Sequence, residues 1–149
     1  MADTYTNILY HLVFGTKHRQ PRISADIQPR LYEYLGGVVR AHGGVLYEIG
    51  GIDDHVHLLL RWNTDAMKDL VREMKSDSTK WIHKTFPGHD EFYWQSGGGI
   101  FTVSQSVVPQ LTAYIRNQAK HHEKRSFQEE YIEFLKINGV EYDERYLFD

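Results

Sequence analysis

The sequence predicts an α+β fold in which a four-stranded antiparallel sheet carries two helices on one face. Three observations predict it. Segments rich in β-branched and aromatic residues alternate with segments of helical apolar spacing, in the order strand, helix, strand, strand, helix, strand, then helices. Breaker pairs fall between them at Gly43-Gly44, Gly50-Gly51 and Pro87-Gly88. The run His55 to Trp62 alternates with period two: His55, His57, Leu59 and Arg61 fall on one side, and Val56, Leu58, Leu60 and Trp62 on the other.

Tyr5 to Thr16 reads as the first strand, and Lys17 to Arg22 as a basic loop containing Pro21. Ser24 can cap a helix to about His42, with Ile27, Leu31, Tyr34, Leu35 and Val38 at helical spacing and Pro29 in its first turn. Val45 to Ile52 and His55 to Trp62 are the second and third strands, with residues 50–54 supplying the turn. Asn63 or Thr64 caps a helix over about Asp65 to Thr85. Phe92-Tyr93-Trp94 and Ile100 to Val103 form a fourth strand region interrupted by Gly97 to Gly99. Ser104 or Ser106 caps a helix from Val107 to Lys124, and a last helical segment runs from Gln128 to Asn138. This is the ferredoxin-like order. It makes the first and third strands central and leaves the His55–His57 side looking out from the face opposite the two helices.

A chain of 149 residues with 41% apolar residues supports one core and excludes a disordered chain, so residues 1–149 read as one domain. No stretch approaches a membrane span, the N-terminus has no secretory pattern, and there is no cysteine, which together point to an intracellular, cytoplasmic protein. Seven of the 20 acidic residues and two of the 17 basic ones fall in 129–149. The net charge of −3 therefore hides a mildly basic body and an acidic helical tail over 126–149. Such a tail would repel a polyanion, and it is expected to lie away from any polyanion site or against basic surface.

Two imidazoles on one face of a strand are half of a metal site. Along the Val107 to Lys124 helix, Tyr114, Gln118 and His121 share one stripe, while Val108, Leu111 and Ile115 form an apolar one that would dock the helix. An amide oxygen at Gln118 is a hard, neutral ligand suited to Mg²⁺ or Mn²⁺. The bland reading, a polar helix face and two strand histidines, remains open from these segments singly.

The joint pattern resembles the single-tyrosine transposases of the HUH superfamily, the insertion-sequence-200-like enzymes and their repeat-associated relatives. The motifs are Tyr10-His11-Leu12-Val13-Phe14-Gly15-Thr16-Lys17, Asp54-His55-Val56-His57-Leu58-Leu59, Lys75 to Ile82, Phe92-Tyr93-Trp94-Gln95 with Gly99 to Ser104, and Tyr114-Ile115-Arg116-Asn117-Gln118 with His121-His122. The resemblance spans roughly residues 5 to 125. It implies that the C-terminal helix is catalytic, with Tyr114 as nucleophile. It also implies His55, His57 and Gln118 as ligands of Mg²⁺ or Mn²⁺, with His121 and His122 as accessory groups. The implied substrate is single-stranded DNA with hairpins at the element's ends, cut through a 5′-phosphotyrosine. The implied assembly is a homodimer in which the tyrosine helix can act in trans. Lys17, Arg19, Arg22, Lys75, Lys80, Arg116 and Lys120 are candidate phosphate contacts.

Two other classes compete. A single-stranded nucleic-acid-binding module of RNA-recognition-like fold shares the sheet order, but the His55 strand lacks the Gly-aromatic signature such modules use for stacking. A small metal hydrolase would use His55 and His57 with Asp53 or Asp54.

Overall fold

The computed structural model describes residues 2–148. Strands β1 (Leu9–Gly15), β2 (Val45–Ile52), β3 (His55–Arg61) and β4 (Gly99–Val103) form one antiparallel sheet in the order β2-β3-β1-β4. The two central strands are β3 and β1, as the sequence order requires. Helices α1 (Gln28–Ala41) and α2 (Met67–Thr85) cover one face. Their apolar sides meet Leu12 and Phe14 from β1 and Val56, Leu58 and Leu60 from β3 in the main core. The period-two alternation of β3 is thus the packing pattern of the sheet. Among the described residues no helix is long and apolar enough to cross a membrane.

Several boundaries differ from the sequence reading. The first strand begins at Leu9, and Tyr5 lies exposed before it. Helix α1 starts at Gln28, not at Ser24: the Ser24 hydroxyl turns to Asp26, its carbonyl accepts the Ile27 and Gln28 amides, and Pro29 sits in the first helical turn. Strand β2 runs through Gly50 and Gly51 to Ile52, so only Asp53 and Asp54 make the turn into β3. Gly50 is needed there because a Cβ would lie 2.2 Å from the Ile115 carbonyl oxygen. Of the Phe92–Trp94 segment, only Trp94 pairs, through a bridge with Thr16.

The helix expected over 107–124 is broken. After a single 3₁₀ turn at Gln105–Val107, α3 (Val108–Arg116) ends at Asn117, and α4 (Gln118–His121) restarts from there. Ile115 alone of the predicted apolar stripe is fully buried; Val108 and Leu111 are half-buried. Helix α5 (Phe127–Ile137) opens with a capping box between Ser126 and Glu129. It lays Phe127, Tyr131 and Leu135 against Val13 and Phe101, forming a second core on the opposite sheet face. The tail does not lie away from the His55–His57 face, the first of the two placements its charge suggests, although Arg19 and Arg125 do meet it through Gln128 and Glu133. Apolar spacing at 127, 131 and 135 outweighs the tail's surface charge, because burying each such side chain is worth roughly 1.5–3 kcal/mol.

Candidate active site

His55 and His57 project from β3 into this second layer, and neither imidazole touches solvent. The sheet face opposite α1 and α2 is covered by the elements that follow β4, namely α3, α4 and α5. What closes it is chemically specific. Glu130 on α5 is fully buried, and its carboxylate is the acceptor at the centre of the cluster. His57 Nε2 donates to Glu130 Oε1 at 2.8 Å, and His55 Nε2 and His122 Nε2 stand 3.4 and 3.3 Å from the same oxygen. The other oxygen, Oε2, accepts from the Gln118 amide at 3.0 Å and from the Tyr114 phenol.

The Gln118 amide is oriented by these partners. Its NH₂ faces Glu130, so its oxygen faces His55 Nε2 at 2.8 Å and His122 Nε2 at 3.0 Å. Outer partners fix the rings. Asp54 Oδ1 accepts from His55 Nδ1 at 2.7 Å, and the Arg125 carbonyl accepts from His122 Nδ1 at 2.8 Å. His57 Nδ1 meets Nε2 of the buried His11 at 2.8 Å. Phe127 stacks on His55 with ring centroids 4.2 Å apart.

Hydrogen-bond logic sets the charges. Both nitrogens of His55 face oxygens that can only accept, so the ring is held as an imidazolium. Burial opposes that charge, but hydrogen bonds to Asp54 and Glu130 outweigh it and raise the His55 pKa to about 9. Burial takes His57 the other way, down to about 4. With His57 Nε2–H given to Glu130, its Nδ1 lone pair accepts from His11, which burial also keeps neutral. Burial alone would push the Glu130 carboxyl up; hydrogen bonds from His122, His55 and His57 hold it well below the usual carboxylate range. The Tyr114 pKa is raised by burial and then by its hydrogen bond to Glu130, against a smaller opposing effect of Arg125, whose Nη2 donates to the phenol oxygen at 3.0 Å.

The donor set fits a divalent cation. Ligating atoms of His55, His122 and Glu130 lie within 4.8 Å of one another, with the Gln118 oxygen between the two histidines. Imidazole nitrogens mixed with carboxylate and amide oxygens suit Mn²⁺ better than Mg²⁺, which favours all-oxygen shells.

The structure therefore brings together Tyr114, His55, His57, Gln118 and His122. The Tyr114 ring lies 6.0 Å from the His57 ring within a single chain. His121 is not in the cluster; it stacks on the outer side of Tyr114 at 4.5 Å. The candidate phosphate contacts do not converge as a set. Arg22 pairs with Glu91 and Arg116 with Glu48, while Arg19 donates to Gln128. Lys17, Lys80 and Lys120 are exposed, and Lys75 is half-buried. Asp53 and Asp54 stay in the β2–β3 turn, where Asp54 orients His55 rather than joining the inner cluster.

Glu130, His11 and Arg125 went unrecognised in the sequence. Glu130 had a signal: it occupies the apolar stripe of α5, three residues after Phe127 and beside Tyr131, where a carboxylate must find buried partners.

The sequence pattern of the family described as Transposase IS200 like matches residues 4–118. No curated protein sequence matches the chain. Among solved structures, a candidate transposase from Deinococcus radiodurans R1 is 25% identical, with a TM-score of 0.62 over 79% of this chain and 95% of that one. A REP-associated tyrosine transposase bound to a REP hairpin shares the fold at 13% identity, with a TM-score of 0.60 over 82% of this chain and 73% of that one. The matched segment takes in the whole sheet, the histidine pair on β3 and the helix bearing Tyr114, and it ends on Gln118. On that match, which spans most of its length, the chain belongs to the IS200-like transposase family.

Proposed function

We propose that this transposase cleaves and rejoins single-stranded DNA through a 5′-phosphotyrosine on Tyr114, assisted by a divalent cation, Mn²⁺ or Mg²⁺. The observation that carries the proposal is the convergence of Tyr114, His55, His57, Gln118, His122 and Glu130 on one buried point of a single chain. His55, His57 and Gln118, joined by His122 and Glu130, would hold the cation. The cation would supply Lewis-acid chemistry, neutralising charge on the scissile phosphate.

The chain's own residues do the rest. Tyr114 Oη attacks phosphorus, the P–O3′ bond breaks, and a 3′ hydroxyl leaves. The phenol proton passes by way of Glu130 Oε2, with which it is already hydrogen-bonded, to the departing 3′ oxygen, which leaves as the hydroxyl. Arg125 Nη2, 3.0 Å from the phenol oxygen, stabilises negative charge on it. Attack by another 3′ hydroxyl on the phosphotyrosine reverses the step and returns the proton, so no nucleotide cofactor is consumed.

The proximity of Tyr114 and His57 within one chain supports assembly of the site in cis. A homodimer, DNA hairpins as the recognised ends, the whole chain acting as one domain and an intracellular place of action complete the proposal. The bound hairpin belongs to the solved relative of the same fold and is extended here to this chain as substrate class. The test is incubation of the full chain with labelled hairpin-bearing single-stranded DNA and Mn²⁺ or Mg²⁺, followed by denaturing electrophoresis. A covalent adduct lost in Tyr114→Phe is expected. Cleavage without an adduct, or an adduct that survives Tyr114→Phe, would overturn the proposal.

A further inference from the structure

A second concave site lies at the β4 edge of the sheet. It is a cleft of about 970 Å³ between α2 and the 93–99 loop, within the range of small-molecule sites. None of the buried cluster around Glu130 lines it. Phe14, Trp94 and Phe101 border it as buried rings, and the aromatic face it offers is that of the half-exposed Tyr93. Its α2 wall is basic: Lys68, Arg72 and Lys75 are spaced four and three residues apart along one helix face, and Lys80 borders them.

The loop is built onto the sheet. Gln95 is buried; it accepts from the Gly15 amide and donates to the Leu147 carbonyl. Lys75 donates to the carbonyls of Gln95 and Gly97 while its ammonium stands 5.1 Å from the Phe14 ring centroid. Gly98, at φ +155°, lets the loop lie flat, since a Cβ would come within 3.0 Å of the Phe14 Cβ. The cleft is therefore held open by paired groups.

We propose that this cleft binds one unpaired nucleotide of the single-stranded DNA, its base against Tyr93 and the neighbouring phosphates on Lys68, Arg72 and Lys80. The inference rests on the reading of single-stranded DNA as substrate. Charge complementarity selects this occupant: a polyanion satisfies the basic wall, whereas a second copy docked across a twofold axis would bring like charges together. Arg72 pairs with Asp69 at the exposed surface, a contact weak enough to yield to a phosphate. Base stacking on aromatic rings tolerates any sequence, so the cleft would hold a flanking nucleotide without reading it.

The test measures binding apart from chemistry. Fluorescence anisotropy in EDTA follows a labelled single-stranded DNA pool on the full chain, on Lys68→Glu/Lys80→Glu and on Gly97→Phe. The first variant changes two exposed side chains. The second fills the cleft from a position whose Cβ has no neighbour closer than 3.9 Å. Both are expected to raise Kd about tenfold, the scale of one stacked base. DNA carrying 5-iodouracil should photocrosslink to Tyr93 or Trp94 by peptide mapping. Tight binding by both variants, with crosslinks elsewhere, overturns the cleft and leaves the single-stranded DNA reading standing. Absence of any single-strand binding by the unaltered chain overturns both. A change in light-scattering mass with unchanged DNA affinity assigns the cleft to a second copy and overturns the proposal. Binding in the cleft without a Tyr114 adduct leaves it intact while the phosphotyrosine reading falls.

Discussion

The Tyr114 phenol donates its hydrogen bond to Glu130, a carboxylate on α5 outside the segment 4–118 that the family pattern matches. The candidate nucleophile is thus tied to a residue contributed by the tail. Glu130 also balances the His55 imidazolium and accepts from His57.

Glu130→Gln separates these roles. An amide cannot take the phenol proton, so the rate of covalent adduct formation is expected to fall about 100-fold or more. The same change leaves the buried His55 imidazolium with Asp54 as its carboxylate partner and removes the other, which costs about 3 kcal/mol. Urea denaturation of the chelator-treated protein reads the second effect and single-turnover gel kinetics the first. An adduct rate unchanged from the parent would remove Glu130 from the chemistry.

The raised pKa of His55 makes the metal-free protein pH-dependent. Its folded value, about 9, lies above the unfolded value of about 6.5, so the folded state binds the extra proton. That contribution is complete below about pH 6.5 and is lost as pH rises through 9. Urea midpoints measured from pH 6 to 10 in EDTA should fall across this window. His55→Gln, which cannot titrate, should flatten the profile.

How far the sequence could be read depended on which elements obeyed a simple period. Strand β3 did: its alternation placed Val56, Leu58 and Leu60 in the α1–α2 core and the His55–His57 pair on the opposite face. The α3–α4 region did not. A continuous helix would put His121 under Gln118, but the break at Asn117 starts a new turn in which His122, four residues after Gln118, joins the cluster and His121 stacks outside on Tyr114. In the tail, charge and period point in opposite directions, and the period prevails. The Phe127, Tyr131 and Leu135 stripe dictates burial, and burial brings Glu130 with it. Antiparallel pairing set His11 beside His57 through Val13↔His57 register, a long-range relation that no local pattern announces.

Cation binding must clear hydrogen from both ring nitrogens, expelling a proton from His55 and shifting the His57 hydrogen to Nδ1. In the structure His55 Nε2 and His57 Nε2 both donate to oxygens, and each has to present a lone pair to a metal. Mn²⁺ affinity is therefore expected to rise with pH from 6 to 9, approaching tenfold per unit where His55 supplies one proton. Calorimetry in buffers of different ionisation enthalpy counts the protons released. Affinity independent of pH would exclude His55 as a ligand.

His11 controls which nitrogen of His57 is available. The two rings lie nearly parallel with centroids 5.1 Å apart, and His11 Nε2 is 2.8 Å from His57 Nδ1. With Nε2–H of His57 on Glu130, His11 is the donor; once Nε2 turns to a metal, Nδ1 must carry the hydrogen and His11 must accept. A neutral imidazole can do either, and burial keeps His11 neutral. His11→Leu retains the volume and removes both abilities, stranding a buried nitrogen at a cost of about 1–3 kcal/mol. It is expected to weaken Mn²⁺ binding 10- to 100-fold, the usual consequence of losing an outer partner of a metal-bound histidine. His11→Gln, whose amide offers both a donor and an acceptor, should recover part of that loss. ¹⁵N spectra of the metal-free protein should show His57 with hydrogen on Nε2, and should show that preference weakened in His11→Leu. Equal affinities for the two variants would reduce His11 to a packing residue between β1 and Phe134, on which its edge already rests at 4.9 Å.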